Sequence, residues 1–222
     1  MRNETLLVED LMLLMTDDRS GAVAGAGTLY YTLGGAVLVE LGLDGQVAAD
    51  ENDTGLNGLR VRAVAGDLPT DPLLRTAHDT VASRVRGVQT LLIEIGTGLH
   101  ATVTDRLVER GLLLRRSRTV LGLFRTTSTR VADTGHKREL LARLRATLVD
   151  GAEPDSRTAA LAGLLAASGT LPTLHRSIPW SGEVFLRAKQ LEQDSWAAEA
   201  VNSAVMRTMA AVSAGTAAAV TS

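Results

Sequence analysis

The residues with the clearest chemical meaning are arginines that surround a short apolar segment near the middle of the chain. The arginines are Arg115, Arg116, Arg118 and Arg125. The apolar segment contains Val120, Leu121, Leu123 and Phe124. An anionic membrane surface attracts this pattern, because each surface arginine contributes on the order of 1 kcal/mol and burial of an apolar tip adds to the binding. We therefore predict that these residues bind anionic lipid or contact a second subunit.

Two other interpretations of this stretch remain open. A helix from Leu99 to Arg110, then Gly111 and a basic hairpin, is the order of a recognition helix and its wing in winged-helix DNA-binding proteins. The polar face of that helix consists of Thr102, Asp105, Arg106 and Glu109. The two acids on this face weaken the case for DNA binding. The third interpretation is a purely structural oligomer, in which the hairpin is buried between subunits.

The sequence contains no recognisable catalytic or metal-binding pattern. The absence of cysteine excludes disulfides, zinc–thiolate sites and cysteine nucleophiles. Four histidines lie far apart, without metal-ligand spacing, and we expect them at surface or half-buried positions: His78, His100, His136 and His175. The Gly-x-Ser-x-Gly elbow of many serine hydrolases is also missing. We therefore expect a protein that is not an enzyme and that uses neither a metal nor a cofactor.

Two other local patterns have simple structural interpretations. The acidic pairs Glu9-Asp10 and Asp17-Asp18 are interpreted as solvated positions on a helix surface and in a turn. The run of glycine and alanine over residues 21–27 lacks the spacing of a dinucleotide fingerprint and any Gly-Lys-Ser/Thr sequence. We interpret this run as a flexible or closely packed entry to a helix, since glycine permits both.

Two helices flank the arginine-rich stretch and must position it. In the first, Leu99, Val103 and Leu107 recur every four residues and form an apolar face, and Gly111 suits its C-terminus. Paired strands are then predicted over 112–118 and 120–131. The second helix begins near Asp133 or Thr134, and its predicted buried stripe is Leu140, Leu141, Leu144 and Leu148. Eleven lysines or arginines lie between residues 106 and 145, so this region is the basic part of the chain.

The remaining sequence predicts a mostly α-helical protein. Hydrophobic residues make up 45% of the 222 residues and aromatic residues only 3%, so the core must consist of Leu, Val and Ala. The helix over 29–43 is the most apolar, and Gly34-Gly35 within it permits close packing of a neighbour. Further helices are predicted over 5–15, from Asp71-Pro72 to Val85, and over 88–95, 158–167, 183–193 and 197–220, with short strands over 46–49 and 59–65. No clear linker divides the chain. We expect one domain over 1–222, a helical-bundle core with surrounding amphipathic helices and a projecting β-hairpin at about 112–131.

The chain from about residue 5 to residue 220 resembles the Golgi phosphoprotein 3 family, whose yeast member is a vacuolar sorting protein. Four parts of the sequence carry the likeness: LVEDLMLL at 7–14 with DRSG at 18–21, LGGAVLVELGLDG at 33–45, RLVERG at 106–111 with LGLFRTT at 121–127, and RAKQL at 187–191. Each part alone is weakly specific, but they occur in the family's order and spacing. The alanine-, glycine- and arginine-rich, cysteine-free composition suggests a bacterial member.

The resemblance implies a fold, a function and a location. The fold is a mostly helical single domain with a projecting β-hairpin. The function is that of a non-enzymatic peripheral membrane adaptor, which in eukaryotic members binds phosphatidylinositol 4-phosphate, retains Golgi glycosyltransferases and self-associates with help from the hairpin. For this chain we expect a cytoplasmic location with peripheral membrane association. The expected partners are anionic lipid with a phosphoinositide-like headgroup, a second copy of the chain and client proteins; nucleic acid is not among them.

The residues of the eukaryotic lipid pocket are not retained. In this resemblance, the positions of the pocket's tryptophan, its arginine and its two basic residues correspond to Gly25, Gly34, Thr97 and His100. Among these only His100 can become cationic, and only in part at neutral pH. The candidate anion-binding residues are therefore His100 and the hairpin arginines. The resemblance implies general attraction to anionic lipid more directly than recognition of one headgroup.

Overall fold

A long apolar helix, α2 (Leu29–Leu43), lies at the centre of the molecule. The structure is a computed structural model, which describes residues 5–55, 57–120, 124–132, 134–206 and 208, with only the backbone of 51–55, 116–120 and 124–128. Side chains are buried around the whole circumference of α2, including Leu33, Val37 and Leu41. A helix that is apolar on every side belongs in a core, and the helix occurs where the sequence predicts it.

Other helices cover α2. The first is α1 (Leu7–Met15), and the others before the hairpin are α3 (Pro72–Ser83), α4 (Val88–Gly96) and α5 (Leu99–Glu109). After the hairpin come α6 (Thr134–Leu148), α7 (Ser156–Ala167), α8 (Gly182–Gln193) and a helix over residues 196–206, called α9. Helices α1, α4 and α7 all pack against α2. One continuous cluster of buried apolar side chains joins these helices, and the predicted mostly α-helical fold is confirmed.

The two adjacent glycines of α2 bring its neighbours very close. A Cβ at Gly34 would lie 2.5 Å from the carbonyl oxygen of Leu92 in α4, and a Cβ at Gly35 would lie 2.3 Å from the side chain of Val201 in α9. Real side-chain atoms do not approach neighbours this closely. The prediction that Gly34-Gly35 permits close packing is therefore confirmed.

One helical segment within the described residues has the length and mean hydropathy of a membrane span. It covers Ala26–Leu43 and therefore coincides with α2 and the turn before it. Its window is 61% buried by the rest of the protein, as in the core helix of a folded domain.

A small antiparallel sheet packs beside α3 and α4. It consists of β1 (Val47–Gly55), β2 (Gly58–Ala63) and the two-residue strand β3 (Arg86–Gly87), in that order. The sequence predicts β1 and β2 but places residues 86 and 87 outside any strand. Two residues are too few to show a period of two. The extension of α3 to Val85 is also wrong, because the helix ends at Ser83 and Val85 is exposed.

The hairpin strands are β4 (Leu113–Val120) and β5 (Phe124–Val131), and α6 follows them. The predicted turn near residue 119 is displaced, because the two strands pair symmetrically as far as Val120 and Phe124. Leu140, Leu144 and Leu148 form the buried stripe of α6, whereas Leu141 is only half-buried. Apart from Leu141, the predicted helix after the hairpin is confirmed.

Candidate functional site

The hairpin extends directly from the C-terminus of α5. Gly111 adopts the left-handed conformation (φ +73°), as predicted for the residue that ends this helix. Leu112 and Leu113 then enter the core. The Leu112 backbone amide donates to the carbonyl of Leu107, and the amide of Ala132 donates to the carbonyl of Leu112. The root of the hairpin is therefore fixed by both apolar burial and backbone hydrogen bonds.

The pairing of the two strands defines the two faces of the hairpin. Antiparallel partners share a face, and neighbouring residues of a strand alternate between faces. One face begins at the root with buried Leu113 and its half-buried partner Val131, and therefore faces the protein. The opposite face begins with Leu114, which is 51% exposed, and its exposed partner Arg130. The hairpin thus has an outward face that starts from these two residues.

The predicted arginines occupy both faces. Arg115 follows Leu113 on the inward face, and its guanidinium donates to the carboxylate of Asp105 in α5 at 2.5 Å. Arg116 and Arg118 occupy register positions that continue the outward face, opposite Ser128 and Thr126. Arg125 pairs in register with Thr119, on the face of Arg115. The structure describes only the backbone for these last three arginines.

The predicted apolar tip falls largely beyond the described part of the chain. Val120 and Phe124 form the last cross-strand pair, for which the structure gives the backbone. Leu121 and Leu123 lie outside the described residues. The register nevertheless places Val120 and Phe124 at the far end of the described strands, beside the predicted tip.

A cleft of about 420 Å³ lies at the root of the hairpin. Its lining includes exposed His100 at the start of α5, Thr129 of β5 and Tyr30 of α2. Thr129 is the register partner of Arg115, so the structure brings His100 to the same end of the hairpin as the first predicted arginine. Among the described residues that line the cleft, His100 alone can become cationic.

Three other positions that the resemblance assigns to the eukaryotic lipid pocket cannot supply charge. Gly34 is sealed by the backbone of α4, so no arginine fits there without moving that helix. Gly25 is a left-handed glycine (φ +67°) in the turn before α2. The hydroxyl of Thr97 donates to the carbonyl of Ile93 within α4. The described lining of the cleft beside His100 is therefore nearly uncharged.

The acidic pair Glu9-Asp10 is where the structure overturns the sequence prediction. Neither residue is solvated, because Glu9 is fully buried and Asp10 is only 2% exposed. One carboxylate oxygen of Glu9 accepts from the guanidinium groups of Arg106 at 2.8 Å and Arg110 at 3.1 Å, and the other accepts from the backbone amide of Leu6. Arg106 also donates to Asp71 at 2.7 Å. Glu9 therefore attaches α5, and with it the hairpin, to α1.

Asp10 is held in a second group of charges. Arg157 of α7 donates to Asp10 at 2.9 Å and to buried Glu40 of α2 at 3.1 Å. His136 of α6 contacts the other oxygen of Asp10 at 2.7 Å through Nε2. The backbone amide of Leu7 donates to Glu40 at 2.8 Å. Four helices are thus joined through four side chains, and His136 has a structural role that its scattered position in the sequence did not indicate.

Burial and pairing shift the pKa values of these groups. Burial raises the pKa of Glu40, although Arg157 opposes the shift. Burial alone would lower the pKa of Arg106, but its hydrogen bonds to Glu9 and Asp71 outweigh this, and its pKa is raised. The pKa of Arg157 is raised in the same way, because Asp10 and Glu40 outweigh the effect of burial. Both arginines are therefore held in the charged form.

These contacts separate an interior set of basic residues from the arginines of the hairpin. Arg106, Arg110 and Lys137 belong to the interior or its margin: Lys137 is buried and donates to the carbonyl of Thr16 and to Asp18. Arg106, the one cation on the polar face of α5 considered for DNA recognition, is held by Glu9 and Asp71. His78 is buried, contrary to the prediction for the histidines. One sequence signal could have revealed the interior set, since Glu9 and Asp10 interrupt an otherwise unbroken apolar run over 6–15.

Comparison with known proteins places the chain in a family. Residues 7–208, nearly the whole chain, match the family described as Golgi phosphoprotein 3 (GPP34). A search of curated proteins finds no match. The GPP34 family is a non-enzymatic, adaptor-type family. The matched region includes the helical core, the hairpin and α9, and on this evidence the chain belongs to the GPP34 family.

Proposed function

We propose that this chain is a non-enzymatic peripheral adaptor that binds anionic membrane lipid through its β-hairpin. The observation that carries the proposal is the outward face of the hairpin. Exposed Leu114 and Arg130 begin that face, and the register continues it through positions 116 and 118 to the terminal pair Val120 and Phe124. Basic positions at the root and apolar positions at the end suit a surface with charged headgroups above an apolar interior.

The charge balance of the hairpin supports the same proposal. Residues 112–131 contain five arginines and no acid, although the whole chain has a formal net charge of −2. The described counterion of this segment is Asp105, which binds Arg115 in an exposed pair. An exposed ion pair is weak, so an anionic surface can replace Asp105 at little cost. The hairpin is therefore a local cationic site on a weakly acidic protein.

The root cleft bears on headgroup selectivity. A phosphoinositide headgroup carries several negative charges and needs several cations, but the described lining of this cleft offers only His100. Lipid attraction in this proposal therefore depends on the number of anionic lipids under the hairpin rather than on one recognised headgroup. Phosphatidylinositol 4-phosphate would bind mainly through its charge.

Vesicle flotation tests the proposal. We expect the protein to float with vesicles of phosphatidylserine and phosphatidylcholine, and to remain unbound with phosphatidylcholine alone. Binding should weaken as salt is raised, since screening acts on exposed charges. Vesicles with phosphatidylinositol 4-phosphate should bind like phosphatidylserine vesicles of equal surface charge. Equal recovery with neutral and anionic vesicles, or none with either, would reject the lipid role.

Two further measurements separate the proposal from its alternatives. Phe124→Ser should weaken vesicle binding; if it changes the mass in solution and leaves vesicle binding intact, the hairpin is an oligomer contact instead. Tight binding of duplex DNA with a steep salt dependence would support the winged-helix alternative. We expect no such DNA binding. The helix that would enter the groove carries the acids Asp105 and Glu109, and its cation Arg106 is paired with Asp71.

A further inference from the structure

We propose a second lipid-contacting surface at the start of α8, formed by Trp180, Phe185 and Leu186 and called the α8 patch. This inference rests on the proposed membrane role of the chain. Trp180 is 46% exposed, Phe185 50% and Leu186 67%. Three large apolar side chains within seven residues of the sequence thus remain in contact with solvent.

The arrangement of the α8 patch is ordered. Ser181 caps α8 by accepting a hydrogen bond from the backbone amide of Val184, which fixes the direction in which the helix begins. Val184 is buried and anchors this first turn, so the next two residues face outward. The rings of Trp180 and Phe185 meet edge to face, with centroids 6.2 Å apart.

The charges around the patch favour an anionic lipid surface as its occupant. Two cations of this region are engaged within the protein, since Lys189 pairs with Glu192 and Arg187 donates to the carbonyls of Leu148 and Val149. The exposed margin of the patch is therefore formed by Arg176 and Arg145. Arg176 is exposed, and within the described residues it makes no ion pair. Arg145 of α6 lies alongside, where its guanidinium donates to the carbonyl of Ser177. A cationic margin around exposed apolar groups is attracted to anionic headgroups.

The residue types in the α8 patch also favour contact with a membrane. Tryptophan is enriched at membrane–water interfaces, where its apolar ring and its polar N–H contact different layers. The whole chain has only two tryptophans and two phenylalanines, and one of each is in the α8 patch. Together, the α8 patch and the hairpin would give the protein two points of attachment. A membrane-bound protein with two attachments cannot rotate freely about either one.

Tryptophan fluorescence tests the α8 patch directly. Trp196→Phe leaves Trp180 as the only tryptophan, and Trp196 itself is half-buried beside α2. We expect Trp180 emission to shift to shorter wavelength on vesicles of phosphatidylserine and phosphatidylcholine in equal parts, and to be quenched when brominated lipids are included. Flotation of the same sample separates the two proposals. Bound protein with unchanged Trp180 emission overturns the α8 patch alone, whereas absence of binding overturns the membrane role and the patch with it.

Substitutions in the α8 patch provide a second test of the inference. Phe185→Ser and Leu186→Ser change exposed side chains, so folding should be preserved, and each should weaken vesicle binding about tenfold. Leu68→Ser is the matched control, since Leu68 is 46% exposed in the loop before α3 and lies outside the patch. Unchanged vesicle affinity in the patch variants contradicts the inference. A changed mass in solution without vesicles would identify the patch as a contact between copies of the chain and would also overturn it.

Discussion

Arginine serves opposite purposes in two adjoining regions of this molecule. Where α5 meets α1, Arg106 and Arg110 converge on one oxygen of Glu9, a fully buried carboxylate. A few residues later, in the hairpin, the described ion pair is the exposed one between Arg115 and Asp105. The sequence between 106 and 118 contains five arginines and one acid, yet its first arginines hold the protein together and its later ones lie on a projecting element. Charge density along a chain therefore does not reveal which charges are available to a partner.

The difference is also one of energy. A buried carboxylate needs its cations, because removal of one partner leaves an uncompensated charge in a medium of low dielectric. An exposed pair is screened by water and salt and contributes little. The interior arginines should therefore control stability, while the hairpin arginines should control binding. The predictions below test this division.

The largest effect should come from Glu9→Ala. This change removes the shared acceptor of Arg106 and Arg110 and leaves the backbone amide of Leu6 without its acceptor. We expect a loss of roughly 3 to 5 kcal/mol in the free energy of unfolding, measured by urea denaturation. Glu139→Ala, which removes an exposed carboxylate of α6, is the control and should be nearly neutral. A small effect of Glu9→Ala would mean that the interior pairs do not stabilise the fold.

Arg157→Ala should follow, at about 3 kcal/mol, because it leaves Asp10 and Glu40 buried without their shared cation. The loss should depend on pH. Burial already raises the pKa of Glu40, and removal of Arg157 raises it further. The folded variant then binds a proton more tightly than the unfolded chain, so its stability falls as pH rises through the raised pKa. Urea denaturation at several pH values should show the defect shrinking towards acid; a defect independent of pH would contradict this account.

Gly34→Ala tests whether the region implied for the lipid pocket is closed. The new Cβ would lie 2.5 Å from the carbonyl oxygen of Leu92, so α2 and α4 must move apart. We expect a loss of about 1 to 3 kcal/mol by thermal or urea denaturation. Gly27→Ala has open space around the new Cβ and serves as the control. If both substitutions are equally tolerated, the helices pack less closely than described and a larger side chain could fit at position 34.

The smallest effect on stability is expected at the hairpin. Arg115→Ala breaks an exposed pair whose side chains are 46% and 55% exposed, so the free energy of unfolding should change by less than about 1 kcal/mol. Its binding to anionic vesicles should nevertheless weaken measurably. A large loss of stability would place Arg115 with the interior arginines and remove the contrast between the two regions.

The elements that the sequence predicts well are those with a local signal. The extent of α2 follows from its continuous apolar composition, and the end of α5 follows from Gly111. Helix α6 is recognised from the four-residue spacing of its leucines. In each case the residues that determine the element are neighbours in the chain. The two hairpin strands are predicted for the same reason. The residues at which they end, Val120 and Phe124, follow instead from the cross-strand register, which the local sequence does not show.

The charged interior could not be predicted in this way, because its partners are far apart in sequence. Glu9 and Arg106 are separated by 97 residues, and Asp10 and Arg157 by 147. An acid followed by another acid on a helix is usually solvated, and only the tertiary arrangement shows that three cations approach this pair. The short strand β3 was missed for a similar reason, since its pairing with β2 creates it. Ion pairs between residues far apart in sequence, and strands of two residues, can be predicted only once the fold is known.

The most direct test of the central claim is vesicle binding by the triple variant Arg116→Ser, Arg118→Ser and Arg125→Ser. With about 1 kcal/mol for each arginine, affinity for phosphatidylserine-containing vesicles should fall on the order of a hundredfold. The urea midpoint should remain that of the unaltered protein, because these positions lie on the projecting hairpin. Unchanged vesicle affinity in a normally folded triple variant would contradict the assignment of the hairpin as the lipid-binding element.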